Sequence, residues 1–199
     1  MKNVKIVIAD IRQFTCDTEQ VLSQIAPRYT KKYKKTKRPK DAQQELVSGF
    51  LLKLYLGITR DEQFTCNEYG KPFLTSGDCF FNLSHSEDYV VLAIVDCNVG
   101  IDVEKVRTCH EATVKKVFNT RQKEKLLGLE GDARNEKFTQ IWTECEALLK
   151  LKGTGFGDEW NTDNSLVESC DIHTFQMQDY VITCVTEMES SIEIEKYKV

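Results

Sequence analysis

Three small groups of residues in this 199-residue chain have the types and spacing that chemistry requires. Asp102 and Glu104 stand two apart in the apolar run Val99-Gly100-Ile101-Asp102-Val103-Glu104. In a strand, residues two apart share a face, so both carboxylates point one way while Ile101 and Val103 point the other. Two acids on one face of a buried strand repel each other and call for a positive group between them. Oxygen donors at this spacing suit a hard cation such as Mg²⁺, which takes one or two carboxylates together with phosphate and water oxygens. An exposed edge strand with solvated acids has the same pattern. Glu146 and Lys150 form the second group, one helical turn apart and close enough to act together or simply to pair. A plain surface ion pair of that kind contributes only about 0.3 to 0.5 kcal/mol. The third group, Asn82-Leu83-Ser84-His85-Ser86, offers an amide, hydroxyls and an imidazole in succession. It reads as a turn, able either to hold phosphate oxygens or to cap a helix.

Other chemistries find less support. No nucleophile elbow of the form G-x-S-x-G occurs, and the adjacent Ser84 and His85 diverge in direction, which argues against a Ser-His-Asp hydrolase. Gly153-Thr154-Gly155-Phe156-Gly157 follows a helix and opens none, so it reads as a helix stop and turn, not a dinucleotide loop. The eight cysteines include no C-x-x-C pair and read as reduced thiols, and His85, His110 and His173 lie at no zinc-ligand spacing from them.

These side chains must be held by regular elements. Met1 to Asp10 reads as a first strand, and Asp17 to Ile25 as a short helix. A longer helix begins near Pro39 to Asp41, carries Leu46, Val47, Phe50, Leu51 and Leu54 at helical spacing, and stops at Gly57. Tyr89 to Val95 and Val99 to Glu104, flanking Asp96-Cys97-Asn98, give a hairpin signal. Helical patterns run from Glu111 to Leu127 and from Glu136 to Lys152, the latter with Phe138, Ile141, Trp142, Cys145, Leu148 and Leu149 as its apolar stripe. Tyr180 to Val185 and Ser191 to Glu195 read as closing strands. Helix followed by strands in each half suggests an α+β chain of two similar subdomains, 1–106 and 107–199. No apolar run is long enough for a membrane helix or a signal sequence, so a cytoplasmic, soluble protein is expected.

The net charge of −4 conceals an asymmetry. Arg28 to Lys40 holds eight of the 27 basic residues and no acid, leaving 19 basic against 31 acidic residues, or −12, elsewhere. An isolated basic segment on an acidic body suits a small polyanion. A polymeric nucleic acid would meet repulsion over most of the surface. By itself the basic segment reads as a solvated loop, although Tyr29 and Tyr33 lie within it.

Taken in order, Gly70-Lys71-Pro72, Phe81 to Ser86, Val99 to Lys105 and Trp142-Thr143-Glu144-Cys145-Glu146-Ala147-Leu148-Leu149-Lys150 resemble the 4′-phosphopantetheinyl transferase superfamily, particularly its surfactin-synthetase-activating type. The resemblance spans about residues 28 to 155. It implies two pseudo-symmetric α/β subdomains with the active site at their junction, in a monomer. It also implies transfer of the phosphopantetheine arm of coenzyme A to a serine of an apo acyl or peptidyl carrier protein, with release of 3′,5′-ADP. Carried over by position, Asp102, Glu104 and Glu146 would hold Mg²⁺, and Glu146 would serve as general base. Lys150 would neutralise the diphosphate, and His85, Ser84, Lys71 and Lys32 would bind the phosphates and adenosine of coenzyme A. Two positions depart from the family pattern: Cys145 and Gln44 stand where basic residues are usual. A coenzyme A-binding relative without transferase activity, a nucleic-acid binder using Arg28 to Lys40, and a Mg²⁺-dependent phosphohydrolase are the alternatives.

Overall fold

A computed structural model describes residues 1–154 and 169–198. The order along the chain is β1 (Lys2–Asp10), α1 (Thr18–Leu22), α2 (Pro27–Lys35), α3 (Pro39–Leu56), β2 (Phe64–Cys66), β3 (Pro72–Leu74), β4 (Phe80–Ser86), β5 (Tyr89–Val95) and β6 (Val99–Lys105). It continues with α4 (Glu111–Val117), α5 (Thr120–Glu124), α6 (Gly131–Lys152), β7 (Asp171–Met177), β8 (Tyr180–Thr186) and β9 (Ser190–Tyr197). The architecture is α+β. One sheet has the order β4-β5-β1-β9, a second has the order β6-β8-β7, and β2 with β3 forms a small ribbon.

β1 is buried on both faces, which explains its nearly unbroken apolar sequence. Val7 and Ala9 join Leu46, Val47, Leu51 and Leu52 of α3 in one core. Val4, Ile6 and Ile8 join Ile101, Val103, Ile182 and Cys184 of the other sheet in a second core. Each fully buried Leu, Ile or Val in these layers contributes roughly 1.5 to 3 kcal/mol. On its far side the β6-β8-β7 sheet is covered by α6, whose Ala147, Leu148 and Leu151 pack with Val185. The two parts of the chain interlock: β6 pairs with β8, and β9 returns to run parallel to β1.

Three expectations require correction. Residues 89–95 and 99–105 do not form a hairpin, because β5 pairs with β1 and β4 while β6 belongs to the other sheet. The true hairpin is β4 with β5, turned at Glu87, whose φ of 48° is left-handed. The basic segment is not a loop through Lys35: Pro27 opens α2, Tyr29 is buried in the core and Tyr33 packs against it. This helix hides its aromatic side and exposes its lysines, a pattern concealed by the charge of the run. Asn82 to Ser86 is strand, not turn. Gly57 and Gly153 close α3 and α6 in the left-handed conformation, as helix stops of this kind do. Gly155, Phe156 and Gly157 lie outside the described residues. The eight cysteines are free thiols.

Candidate active site

The site begins with a polar ladder. Asn82, Ser84 and Ser86 alternate along β4, and their side-chain oxygens accept the backbone N–H groups of Ile101, Val103 and Lys105 on β6 at 3.0, 3.3 and 3.2 Å. Period-two spacing brings all three to the same side of β4. The edge of β6 is thereby satisfied by side chains, and the two sheets are fixed in register.

Asp102 lies within this ladder and is buried, which excludes the solvated edge-strand reading. Its Oδ1 accepts Ser84 Oγ at 2.8 Å and Lys150 Nζ at 2.7 Å. Lys150 Nζ also donates to Ser84 Oγ at 2.8 Å, closing a three-membered network across β4, β6 and α6. Asp102 Oδ2 is buried and has no hydrogen-bond partner among the described residues. Glu104 accepts Ser86 Oγ and Trp142 Nε1, each at 3.2 Å, with Arg107 at 3.7 Å. Burial raises the pKa of Glu104, with Arg107 opposing the shift and Asp102 adding to it. Burial also raises Glu146, helped by Asp102 and Glu104 and opposed by Lys150 and Arg107. Asp102 thus disfavours the charge of both Glu104 and Glu146, and Glu104 disfavours that of Glu146.

α6 can approach β6 this closely because Gly100 has no side chain. A Cβ there would lie 2.0 Å from Ala147 O and 2.5 Å from Leu151 N. On the same helix Cys145 is wholly buried among Phe118, Phe138 and Ile141, where its Sγ accepts Gln122 Nε2 at 3.3 Å. Burial pushes this thiol up to about 12, so it is a packed, protonated side chain, as its place on the apolar stripe anticipates.

Two adjoining cavities, of about 180 and about 280 Å³, share Gly70, Pro72, Asn82 and Leu83 and form one cleft. At one end lie Arg28, Lys32, Glu45 and His85; at the other lie Tyr69, Glu146, Leu149 and Lys150. Lys32 Nζ pairs with Glu45 at 3.2 Å. Crowding by neighbouring atoms lowers the His85 pKa; Glu45 opposes that shift, and Lys150 and Lys32 reinforce it. A larger cavity of about 430 Å³, between the first half of α6 and β7 and β8, holds none of the candidate residues.

Lys71 has a different setting from the other cations. Its Nζ is turned into the protein and donates to Asn98 Oδ1, Val99 O and Leu151 O at 2.5, 3.1 and 2.7 Å. Gln44 is buried too, with Nε2 donating to Glu87 O at 2.9 Å. Sequence reasoning missed Arg107, which stacks on Trp142 at 4.8 Å and faces Glu104; Arg28, the first residue of the basic segment, lies over Phe64 at 4.6 Å. The signal was present for Arg107: it stands three residues beyond Glu104. No group of three or more His, Cys, Asp or Glu side chains among the described residues is gathered into a ready metal cage. The unpaired Asp102 Oδ2 and the all-oxygen set it shares with Glu104 and Glu146 nevertheless fit a hard divalent cation completed by ligand and water oxygens.

Residues 98–192 match the model of the 4′-phosphopantetheinyl transferase superfamily. The chain is also similar to several 4′-phosphopantetheinyl transferases. The enzyme Sfp of Bacillus subtilis (strain 168) is 28% identical over 145 residues, 70% of this chain and 65% of that protein. The transferase gsp of Aneurinibacillus migulanus is 34% identical over 124 residues, 58% and 51% of the two chains. The L-aminoadipate-semialdehyde dehydrogenase-phosphopantetheinyl transferase of Xenopus laevis is 33% identical over 103 residues, 44% and 34%. The matched stretches cover about half to just under two thirds of the length of the first relatives. The superfamily match includes β6 and α6, the two elements that carry Asp102, Glu104, Glu146 and Lys150. No helix of the described residues is long and apolar enough to cross a membrane.

Proposed function

We propose that this chain is a phosphopantetheinyl transferase that moves the 4′-phosphopantetheine arm of coenzyme A to a serine hydroxyl of an apo carrier protein, releasing 3′,5′-ADP. The carrying observation is the network of Lys150, Asp102 and Ser84 at one end of a cleft whose other end holds Lys32 and His85. In this reading 1–106 and 107–199 are the two subdomains, and the site lies where Asp102 and Glu104 of the first approach Glu146 and Lys150 of the second.

Transfer at phosphorus is accelerated mainly by positioning and charge neutralisation. Coenzyme A carries about four negative charges near neutral pH, so cations spaced along a cleft are the recognition chemistry it needs. Lys32 and His85 bind its nucleotide phosphates. Lys150 turns from Asp102 toward the diphosphate and offsets charge growing on the departing oxygen. Glu146, with a pKa raised by burial and its acidic neighbours, is suited to accept the proton of the carrier serine. Mg²⁺, held by Asp102, Glu104 and Glu146, would polarise the diphosphate when bound.

A coenzyme A-binding protein without transfer is the second reading. It is favoured because Cys145 and Gln44, at positions where the family has cations, are both buried in neutral contacts. The basic segment offers less to nucleic acid than its sequence suggests, since Lys32 pairs with Glu45 and Lys40 with Glu87 and Asp88. Incubating an apo carrier protein with coenzyme A and Mg²⁺ separates the readings by mass spectrometry. Gain of one phosphopantetheine on serine supports transfer. Coenzyme A binding by calorimetry with an unmodified carrier supports the second reading.

A further inference from the structure

The C-terminal turn of α6 ends in carbonyls without helical partners, and three side chains from two other segments reach them. Lys71 Nζ and Asn98 Nδ2 both donate to Leu151 O, at 2.7 and 2.9 Å. Asn67 Nδ2 donates to Gly153 O at 2.7 Å, and Asn67 Oδ1 accepts the N–H of Lys71 at 2.8 Å. Lys71 also donates to Val99 O at the first residue of β6, and to Asn98 Oδ1. Its ammonium has three protons and three acceptors, with none left for a ligand. The stem packs against the end of the helix, where a Cβ on Gly153 would lie 2.9 Å from Lys71 Cδ. A cation here also meets the negative end of the helix dipole.

We infer that Lys71 is a positioning residue, and that with Asn98 and Asn67 it clamps the last turn of α6 to the start of β6, fixing the span between Lys150 and Asp102. This assigns it a different task from the phosphate contact expected of it by position. Burial lowers its pKa to about 8, and Glu187 opposes that shift, reached through Asn98, whose Nδ2 lies 2.9 Å from Glu187 Oε1. Lys71 borders the cleft, yet it is almost fully buried and its ammonium is engaged by Asn98 Oδ1 and two backbone carbonyls, where a cation recruited for phosphate would leave its donors to the ligand.

The inference rests on the transferase reading for its catalytic consequence, but not for its structural one. Lys71→Met keeps the stem and removes the donors; Asn98→Ala removes one strut if the first variant does not fold. Amide exchange at Gly153 and Thr154, whose N–H groups bond to Leu149 O, reads the last turn directly. The expected result is at least tenfold faster exchange there, a coenzyme A Kd within threefold of wild type, and kcat lowered tenfold or more with KM for coenzyme A unchanged. A tenfold weaker Kd with unaltered exchange would overturn the inference and return Lys71 to the ligand. If the wild type transfers nothing, the transferase reading fails, while exchange and Kd still decide the role of Lys71.

Discussion

Lys150 Nζ stands 2.7 Å from Asp102 Oδ1, an ion pair that joins the helix of one part of the chain to the strand of another. The pair is asymmetric: the Asp102 side chain is 6% exposed and that of Lys150 is 28% exposed. Lys150 can regain water if its partner is lost, whereas Asp102 has no such recourse. Removing Lys150 therefore strands a buried carboxylate, and removing Asp102 strands little.

The expected outcome is that Lys150→Met costs about 3 kcal/mol or more of stability, in the range for an orphaned buried charge. Asp102→Asn is expected to cost about 1 kcal/mol, because the amide retains a contact with Ser84. Both should lower carrier-protein labelling at least 100-fold. Urea unfolding and labelling rates measured on the two variants check the ordering; equal stability losses would show that the pair is not as asymmetric as its exposure indicates.

Gly100→Ala should be the most damaging glycine-to-alanine change among the described residues. Its Cβ would collide with the α6 backbone, which cannot move aside as a flexible side chain can. A loss of about 3 kcal/mol or more is expected, at the upper end for overpacking, and thermal melting would measure it. A fully stable Gly100→Ala protein would mean that α6 does not rest on β6.

Cys145→Lys would supply the cation that the resemblance places at this position, but the structure points the other way. The thiol is buried in one cluster with Phe118, Phe138 and Ile141, and an ammonium placed there loses its hydration among apolar side chains. Loss of folded protein is expected, seen as a fall in soluble yield and melting temperature. In the wild type Cys145 should resist alkylation at neutral pH, since its pKa is pushed up to about 12, while the exposed Cys66 reacts first. Peptide mapping after brief alkylation tests that order.

Glu146 titrates above the ordinary carboxylate range because burial and its acidic neighbours disfavour its charge. The sign follows from linkage. A carboxyl whose folded pKa exceeds its unfolded pKa binds more protons in the folded state, so its ionisation destabilises the fold as pH rises between those two values. Without divalent cation, Glu146→Gln is expected to melt higher than wild type at pH 7, with the gap closing as pH falls to about 4, while transfer activity is lost. A gap that widens on acidification would contradict the assignment.

The carboxylate face of β6 and the Glu146 flank of α6 were legible because period two and period 3.6 are written in side-chain type. Gly57 and Gly153 marked helix ends for the same local reason. What escaped notice depended on partners remote in sequence. Nothing near Tyr89 to Glu104 reveals that β6 leaves β5 for β8, because β6 carries one apolar face that either neighbour could cover, and its true partner lies about 80 residues away. α2 was hidden by its charge, since only Tyr29 and Tyr33 disclose its buried side. Lys71 sits in a motif that suggests a ligand contact, yet its ammonium faces carbonyls supplied by residues 99 and 151. A position shared with a family gives residue type; only the surrounding acceptors give its task.

The ladder from Asn82, Ser84 and Ser86 to the β6 backbone also bears on which length changes the chain can tolerate. Neighbouring strands usually keep alignment through main-chain bonds, which any sequence can supply. Here alignment is carried by three side chains, so a single-residue slip between β4 and β6 breaks all three contacts together and moves Asp102 to the opposite face. Insertions within either strand should therefore be lethal to the site, whereas the short turns at 87–88 and 96–98 can lengthen so long as the ladder re-forms. Deletion and insertion scanning across residues 80–105 would trace that boundary one codon at a time.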